Sequence, residues 1–276
     1  MQRFFSILMG ALLALIFVIG AHAAPRGGVD TSKVRELTKE EAQKQWTEFS
    51  KSGIAKDYTI SFEVSHLPRK AKETRATGII YGTKTPEGFD VSRIKITDEN
   101  NNTAEYILKN SAFVPQVWRK SSDGKFVSIP QEKWSEPFLK GFILSPFDLL
   151  MPYKFWTPKY SGVGRIGQAV HFYTLKPASD FGDVKSVRIA LSREFNAPVE
   201  ATTYADAYTP LKTLSLSSVK KADGLWIMRE LSLRDDVTRD RDKLRFIKYN
   251  FSDKNPKKIF DATEPQEPAL REMKKL

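Results

Sequence analysis

The chain contains no cysteine. That excludes a disulfide framework, a thiol nucleophile, a zinc–thiolate site and a lipid-modified N-terminal cysteine. Histidine is also scarce, with three in 276 residues. His22 falls in the leader read below, which leaves His66 and His171. Each stands alone on a strand-like stretch, so a Ser-His-Asp triad or a histidine-based metal site has no partners, and no HExxH or Walker-type run occurs. His171, in Val170-His171-Phe172-Tyr173, reads as a satisfied, half-buried side chain. No Ser/Gly or Pro run interrupts the apolar alternation between Tyr58 and Phe251, so no linker divides the chain.

With 41% hydrophobic, 12% aromatic and 28% charged residues, the chain is too apolar for a disordered protein and too polar for a multi-span membrane protein. It reads as globular. The one long apolar run is Phe4 to Ala21, preceded by Arg3 and followed by Ala21-His22-Ala23 and Ala24-Pro25. This pattern predicts a cleaved secretory signal peptide over residues 1–23, with an uncleaved membrane anchor as the rival reading. Residues 24–261 then form one domain, and 262–276, with Pro265 and Pro268, are either a docked segment or a disordered tail.

Thr38 and Glu41 form a capping box, Leu37 and Ala42 a hydrophobic staple, and Ala42, Trp46 and Phe49 share one face of a helix, with Gly53 at the C-cap. Strand periodicity follows. Tyr58, Ile60, Phe62 and Val64 alternate with Thr59, Ser61, Glu63 and Ser65. Further strands are expected near 72–81, 89–97, 104–109, 112–119 and 125–130, then 169–175, 184–192, 199–204, 212–219, 225–233 and 244–251. Turn chemistry joins them, including Asp123-Gly124 and Asp223-Gly224, so the sheet is antiparallel.

The two strand blocks are separated by SEPFLKGFILSPFDLLMPYKFW, Ser135 to Trp156. Pro137, Gly141, Pro146 and Pro152 forbid one long helix. Ser145, Pro146 and Asp148 read as cap, first-turn proline and N3 carboxylate of a short helix over Phe147–Met151. Phe138, Phe142, Phe147, Leu150 and Trp156 are too many apolar side chains for an exposed connection, and they either cover a sheet face as ordinary core or are held for a ligand or partner.

Two patterns are set aside. Gly162-Val163-Gly164-Arg165-Ile166-Gly167 matches GxGxxG, but a strand rather than a helix follows, so the glycines read as a flexible turn entering that strand. Asp235, Asp236, Asp240 and Asp242, set among Arg234, Arg239, Arg241 and Lys243, read as a solvated hairpin tip. The formal net charge of +11 is scattered; for a secreted chain it favours anionic lipid headgroups or acidic partners over nucleic acid, beside the plainer reading of a soluble basic surface.

Val187 to Phe251 resembles the C-terminal half of the periplasmic outer-membrane lipoprotein-sorting (LolA/LolB-like) family. The resemblance is carried by the turn before Pro198-Val199-Glu200-Ala201, the Leu211-Lys212-Thr213-Leu214 strand, Lys220 to Trp226, and a last charged hairpin. Upstream, Thr77-Gly78-Ile79-Ile80-Tyr81 and Ser92-Arg93-Ile94-Lys95-Ile96 are similar to the family's early hairpin, with its arginine at Arg93. The resemblance implies an α+β, mainly β fold: a half-open antiparallel β-barrel with an N-terminal helix and a helical lid at 135–156. It implies acyl-chain carriage without catalysis or cofactor, on an apolar concave face carrying Tyr58, Ile60, Phe62 and Val64. Phe138, Phe142, Phe147, Leu150 and Trp156 would line the lid, and Arg93 would tie the lid down or meet a polar lipid group. The partners implied are lipid or lipoprotein acyl chains, an inner-membrane transporter, an outer-membrane acceptor and peripheral membrane contact, with no nucleic acid. The proline-rich lid and the Thr209-Pro210 turn depart from the family's pattern, so the cargo, lipoprotein, phospholipid or glycolipid, is open. A binding module for an envelope protein or exporter on the same fold is the alternative, and an envelope enzyme would need a cluster of perturbed carboxylates.

Overall fold

The computed structural model describes residues 35–54, 56–251, 254–269 and 271–276; the leader read at 1–23 lies outside the described residues. Helix α1 spans Lys39–Ser50. The Thr38 hydroxyl accepts from the Glu41 N–H at 3.2 Å and the Glu41 carboxylate from the Thr38 N–H at 3.0 Å, satisfying two of the orphan donors of the first turn. Ala42, Trp46 and Phe49 are its buried stripe. The expected Gly53 cap is corrected: Lys51, in right-handed helical geometry, caps the helix through bonds to the Thr47 and Phe49 carbonyls, so no left-handed residue is required there.

The strands are β1 Tyr58–Leu67, β2 Thr74–Lys84, β3 Asp90–Asp98, β4 Thr103–Lys109, β5 Gln116–Lys120, β6 Phe126–Ile129, β7 Thr157–Ile166, β8 Gln168–Lys176, β9 Ser186–Ser192, β10 Pro198–Tyr204, β11 Pro210–Ala222, β12 Leu225–Asp235, β13 Arg241–Asn250 and β14 Lys274–Lys275. They form one curved antiparallel sheet in the order β6-β5-β4-β3-β2-β1-β13-β12-β11-β10-β9-β8-β7, with β14 on β13. The end strands β6 and β7 do not pair, so the sheet is an unclosed half-barrel. It consists of two sequential meanders, β1–β6 and β7–β13, joined by the β1/β13 ladder.

Two strand expectations are corrected. The glycine run belongs to β7, an edge strand: Gly164 pairs with Val170, Gly162 (φ 114°) follows a register shift, and only Gly167 (φ 68°) makes the turn. The fifth strand starts at Gln116 rather than at 112, because Ser111 to Pro115 is held as a loop by Asn110 and Ser111 side-chain bonds to backbone N–H groups.

Curvature shows in the glycines of β2. Tyr58 faces Gly82 and Phe62 faces Gly78 across the β1/β2 ladder, and each ring lies over its glycine. A Cβ at Gly78 would come within 2.3 Å of the Phe62 ring and 2.7 Å of the Lys95 carbonyl oxygen, which is backbone and cannot swing away. At Gly164 a Cβ would come within 3 Å only of the Phe172 ring. Gly78→Ala should therefore cost about 2–3 kcal/mol, and Gly164→Ala less than about 1 kcal/mol, in the denaturant midpoint at constant m-value.

Residues 254–269 and 271–276 run over the sheet as a docked arm. It contains a 3₁₀ turn at Lys257–Phe260 and ends with Leu276 buried, its N–H donating to the Ile247 carbonyl at 2.8 Å.

Candidate ligand interior and lid

Alternation along β1 and β13 sends Tyr58, Ile60, Phe62 and Val64, with Leu244 and Phe246, to the concave face, where all are buried. The connection from β6 to β7 crosses that face. Its helix α2 is Pro146–Leu150, one residue earlier than expected, with Met151 (φ 44°) as its left-handed cap. A 3₁₀ turn at Pro152–Phe155 follows. The Asp148 carboxylate accepts from the Ser145 N–H at 2.9 Å and the Ser145 hydroxyl at 2.6 Å, which closes the first turn.

Phe138, Phe147 and Leu150 are at most 2% exposed and belong to the same apolar cluster as the β1 side chains. Phe138 meets Tyr106 edge-on, and Phe147 meets Phe181. Phe142 lies tilted against the His66 ring, 5.8 Å between centroids, and Trp156 packs half-buried against Phe181. The concave interior is thus occupied by the lid's own side chains. Beside it, an open groove of about 380 Å³ is lined by Phe113, Pro115, Pro152, Phe155, Trp156 and Phe181, among others, with Phe113 almost fully exposed.

Polar groups latch the lid to the sheet. Asp242, 1% exposed, accepts from His66 Nδ1 at 2.7 Å through one oxygen, and from the lid N–H groups of Ile143 at 2.7 Å and Leu144 at 2.8 Å through the other. Burial is the largest influence on the Asp242 carboxyl and pushes it above the usual carboxylate range, against the lowering effect of these donors. Lys212 donates to the Ile143 carbonyl at 3.0 Å and to Asp148 at 2.9 Å, and Asn110 donates to the Leu150 carbonyl at 2.8 Å. The reading of the acids as a solvated hairpin tip is corrected here, since Asp242 is a buried acceptor and Asp236, also buried, takes the Thr213 hydroxyl and Arg234. One signal was available: Asp242 keeps step with Leu244 and Phe246, so period two puts it on the inner face.

Arg93 departs from its expected role. It sits on the outer face, 1% exposed, and touches no lid residue among its described polar partners. Its guanidinium donates to Glu105 at 2.5 Å, to the carbonyls of Gln266 at 2.6 Å and Ile259 at 3.2 Å, and to Glu267 at 2.9 Å. It therefore ties down the C-terminal arm. His171 is satisfied as expected, with Nδ1 3.2 Å from the Tyr160 hydroxyl, but is fully rather than half buried; burial lowers its basicity, helped by Arg193 and Arg35. Among the described residues no group of three or more metal-ligating side chains converges.

No family model and no curated protein matches the sequence. Solved structures do match. A domain described as an outer-membrane lipoprotein-sorting protein from Vibrio parahaemolyticus superposes with a TM-score of 0.67 at 13% identity, over 80% of this chain and 94% of that one. A DUF1329 family protein from Desulfovibrio piger gives 0.63 at 12%, over 75% and 90%. A LolA superfamily protein from Nitrosomonas europaea gives 0.62 at 12%, over 82% and 98%. At these identities the likeness is one of fold: the described chain is a half-barrel similar in architecture to these structures.

Proposed function

We propose, from this fold shared with lipoprotein-sorting domains, that the chain is a non-catalytic periplasmic carrier of lipid or lipoprotein acyl chains, whose lid is closed in this structure. The observation that carries the reading is the lid itself. An apolar segment fills the concave face and is held by side-chain bonds and packing, with no strand pairing to the sheet.

An acyl chain in water costs about 0.8 kcal/mol per exposed CH₂. A carrier therefore needs a large apolar interior when loaded and a cover for it when empty. Phe138, Phe142, Phe147, Leu150 and Trp156 supply that cover in the place the cargo would take. When the lid moves aside, its backbone groups leave Asp242, Lys212 and Asn110 for water, so opening costs the latch bonds as well as the apolar contacts, and cargo restores the latter. The exposed Phe113 and Val114 beside the lid suit peripheral contact with a membrane during loading from an inner-membrane transporter or delivery to an outer-membrane acceptor.

The test is native mass spectrometry with lipid extraction on protein purified from its own envelope. Co-purifying lipid or acylated protein is expected, and it should be lost when Phe142→Asp and Leu150→Asp are combined. A clean apo mass, unchanged on adding lipid or acylated peptide, would sink the carrier reading in favour of an interaction module whose interior is permanently filled by its own side chains.

A further inference from the structure

Two hydroxyls on the concave face, Tyr58 Oη and Ser92 Oγ, are buried with no hydrogen-bond partner. Their residues are 3% and 0% exposed. They are neighbours: Gly82 pairs with Tyr58 on one side and with Ser92 on the other, and the Tyr58 hydroxyl lies 2.3 Å from where a Gly82 Cβ would stand. Buried polar groups are nearly always satisfied, and an orphan hydroxyl costs about 1–3 kcal/mol, so two on neighbouring strands of the inner face need a reason.

The surroundings favour an acceptor from outside the chain. Asp90 and Lys84 lie along the same inner row, 3.1 Å apart, and Lys154 from the lid's 3₁₀ turn reaches over this end of the sheet to the Ser52 carbonyl. The Tyr58 phenol stays protonated, because burial and the nearby Asp90 and Asp57 carboxylates raise its pKa, so it offers a proton. On the other side of the two hydroxyls the floor is apolar, with Ile60, Ile80 and Ile94 aligned across three strands.

We propose that Tyr58 and Ser92 form a polar subsite that binds the carbonyl oxygen of an acyl ester or amide, with the hydrocarbon tail running over Ile60, Ile80 and Ile94. The proposal rests on the carrier reading and adds which part of the cargo is recognised. A ligand carrying an acceptor satisfies these donors and a bare hydrocarbon does not, so the site discriminates an acyl derivative from a hydrocarbon.

The experiment compares wild type with Tyr58→Phe/Ser92→Ala, which removes both hydroxyls at almost constant volume. Binding of methyl palmitate and of hexadecane, each delivered from cyclodextrin, is measured by titration calorimetry, and Tm is measured without ligand. The expected result is a methyl palmitate affinity about tenfold weaker, a hexadecane affinity unchanged, and an apo Tm raised by about 2–4 °C. An unchanged methyl palmitate affinity, an equal loss for both probes, or a fall in Tm would overturn the subsite; a fall in Tm would mark a structural water between the hydroxyls. Wild type that binds neither probe would overturn the carrier reading itself, and the subsite with it.

Discussion

Asp242→Ala should unlatch the lid. The substitution strips the acceptor from two lid N–H groups and from His66 in one step, and all three bonds are buried. Each hydrogen bond to a charged group contributes about 1.5–3 kcal/mol, and the N–H groups of Ile143 and Leu144 would otherwise stay buried without a partner. The cheaper response is for the lid to move and let them reach water. A shift of about 3 kcal/mol toward the open state is expected, seen as roughly hundredfold faster amide exchange at Ile143 and Leu144 and faster uptake of methyl palmitate. Loss of exchange protection should be confined to the lid, because the β1/β13 ladder does not depend on this carboxylate. If the two amides keep wild-type exchange, Asp242 does not hold the lid.

Arg93→Ala should act on the opposite face. The change leaves Glu105, 7% exposed, with Lys120 at 3.1 Å as its remaining ion-pair partner among the described residues, and removes the donor from two arm carbonyls. Breaking a buried ion pair by deleting one partner costs about 3–5 kcal/mol. The arm should become protease-sensitive within residues 256–269 while the lid keeps its exchange protection. Arg93→Lys should not rescue it, since a single ammonium cannot reach four acceptors arranged around a planar fork. A loss under about 1 kcal/mol with an intact arm would contradict this assignment.

How much of this was legible beforehand depended on whether a signal was local. The capping box at Thr38 and the Ser145-Pro146-Asp148 start of α2 were readable because their partners lie three residues apart. Strand periodicity located the sheet wherever one face is apolar. It failed at β7, where Gly162 and Gly164 remove side chains that would have shown the period and the edge position leaves the strand half-exposed. Arg93 could be placed on a strand but not against its partner, because the arm that covers it is proline-rich, carries no period and arrives from more than 160 residues away. Asp242 was hidden by composition, since its charged neighbours resemble a solvated turn. The neighbouring hydroxyls of Tyr58 and Ser92 could not be anticipated, because their proximity follows from register across Gly82.

The order of the strands has a mechanical consequence. Strands β6 and β7 are the two free edges of the sheet, and the lid is the chain that connects them. It is a bowstring tied at both tips of the bow, and it cannot swing out as a hinged flap does. Drawing the string into the concavity bends the sheet, and letting it slip outward lets the edges spread, so cargo entry and sheet curvature change together. The length of the 130–156 connection then sets how wide the half-barrel can gape.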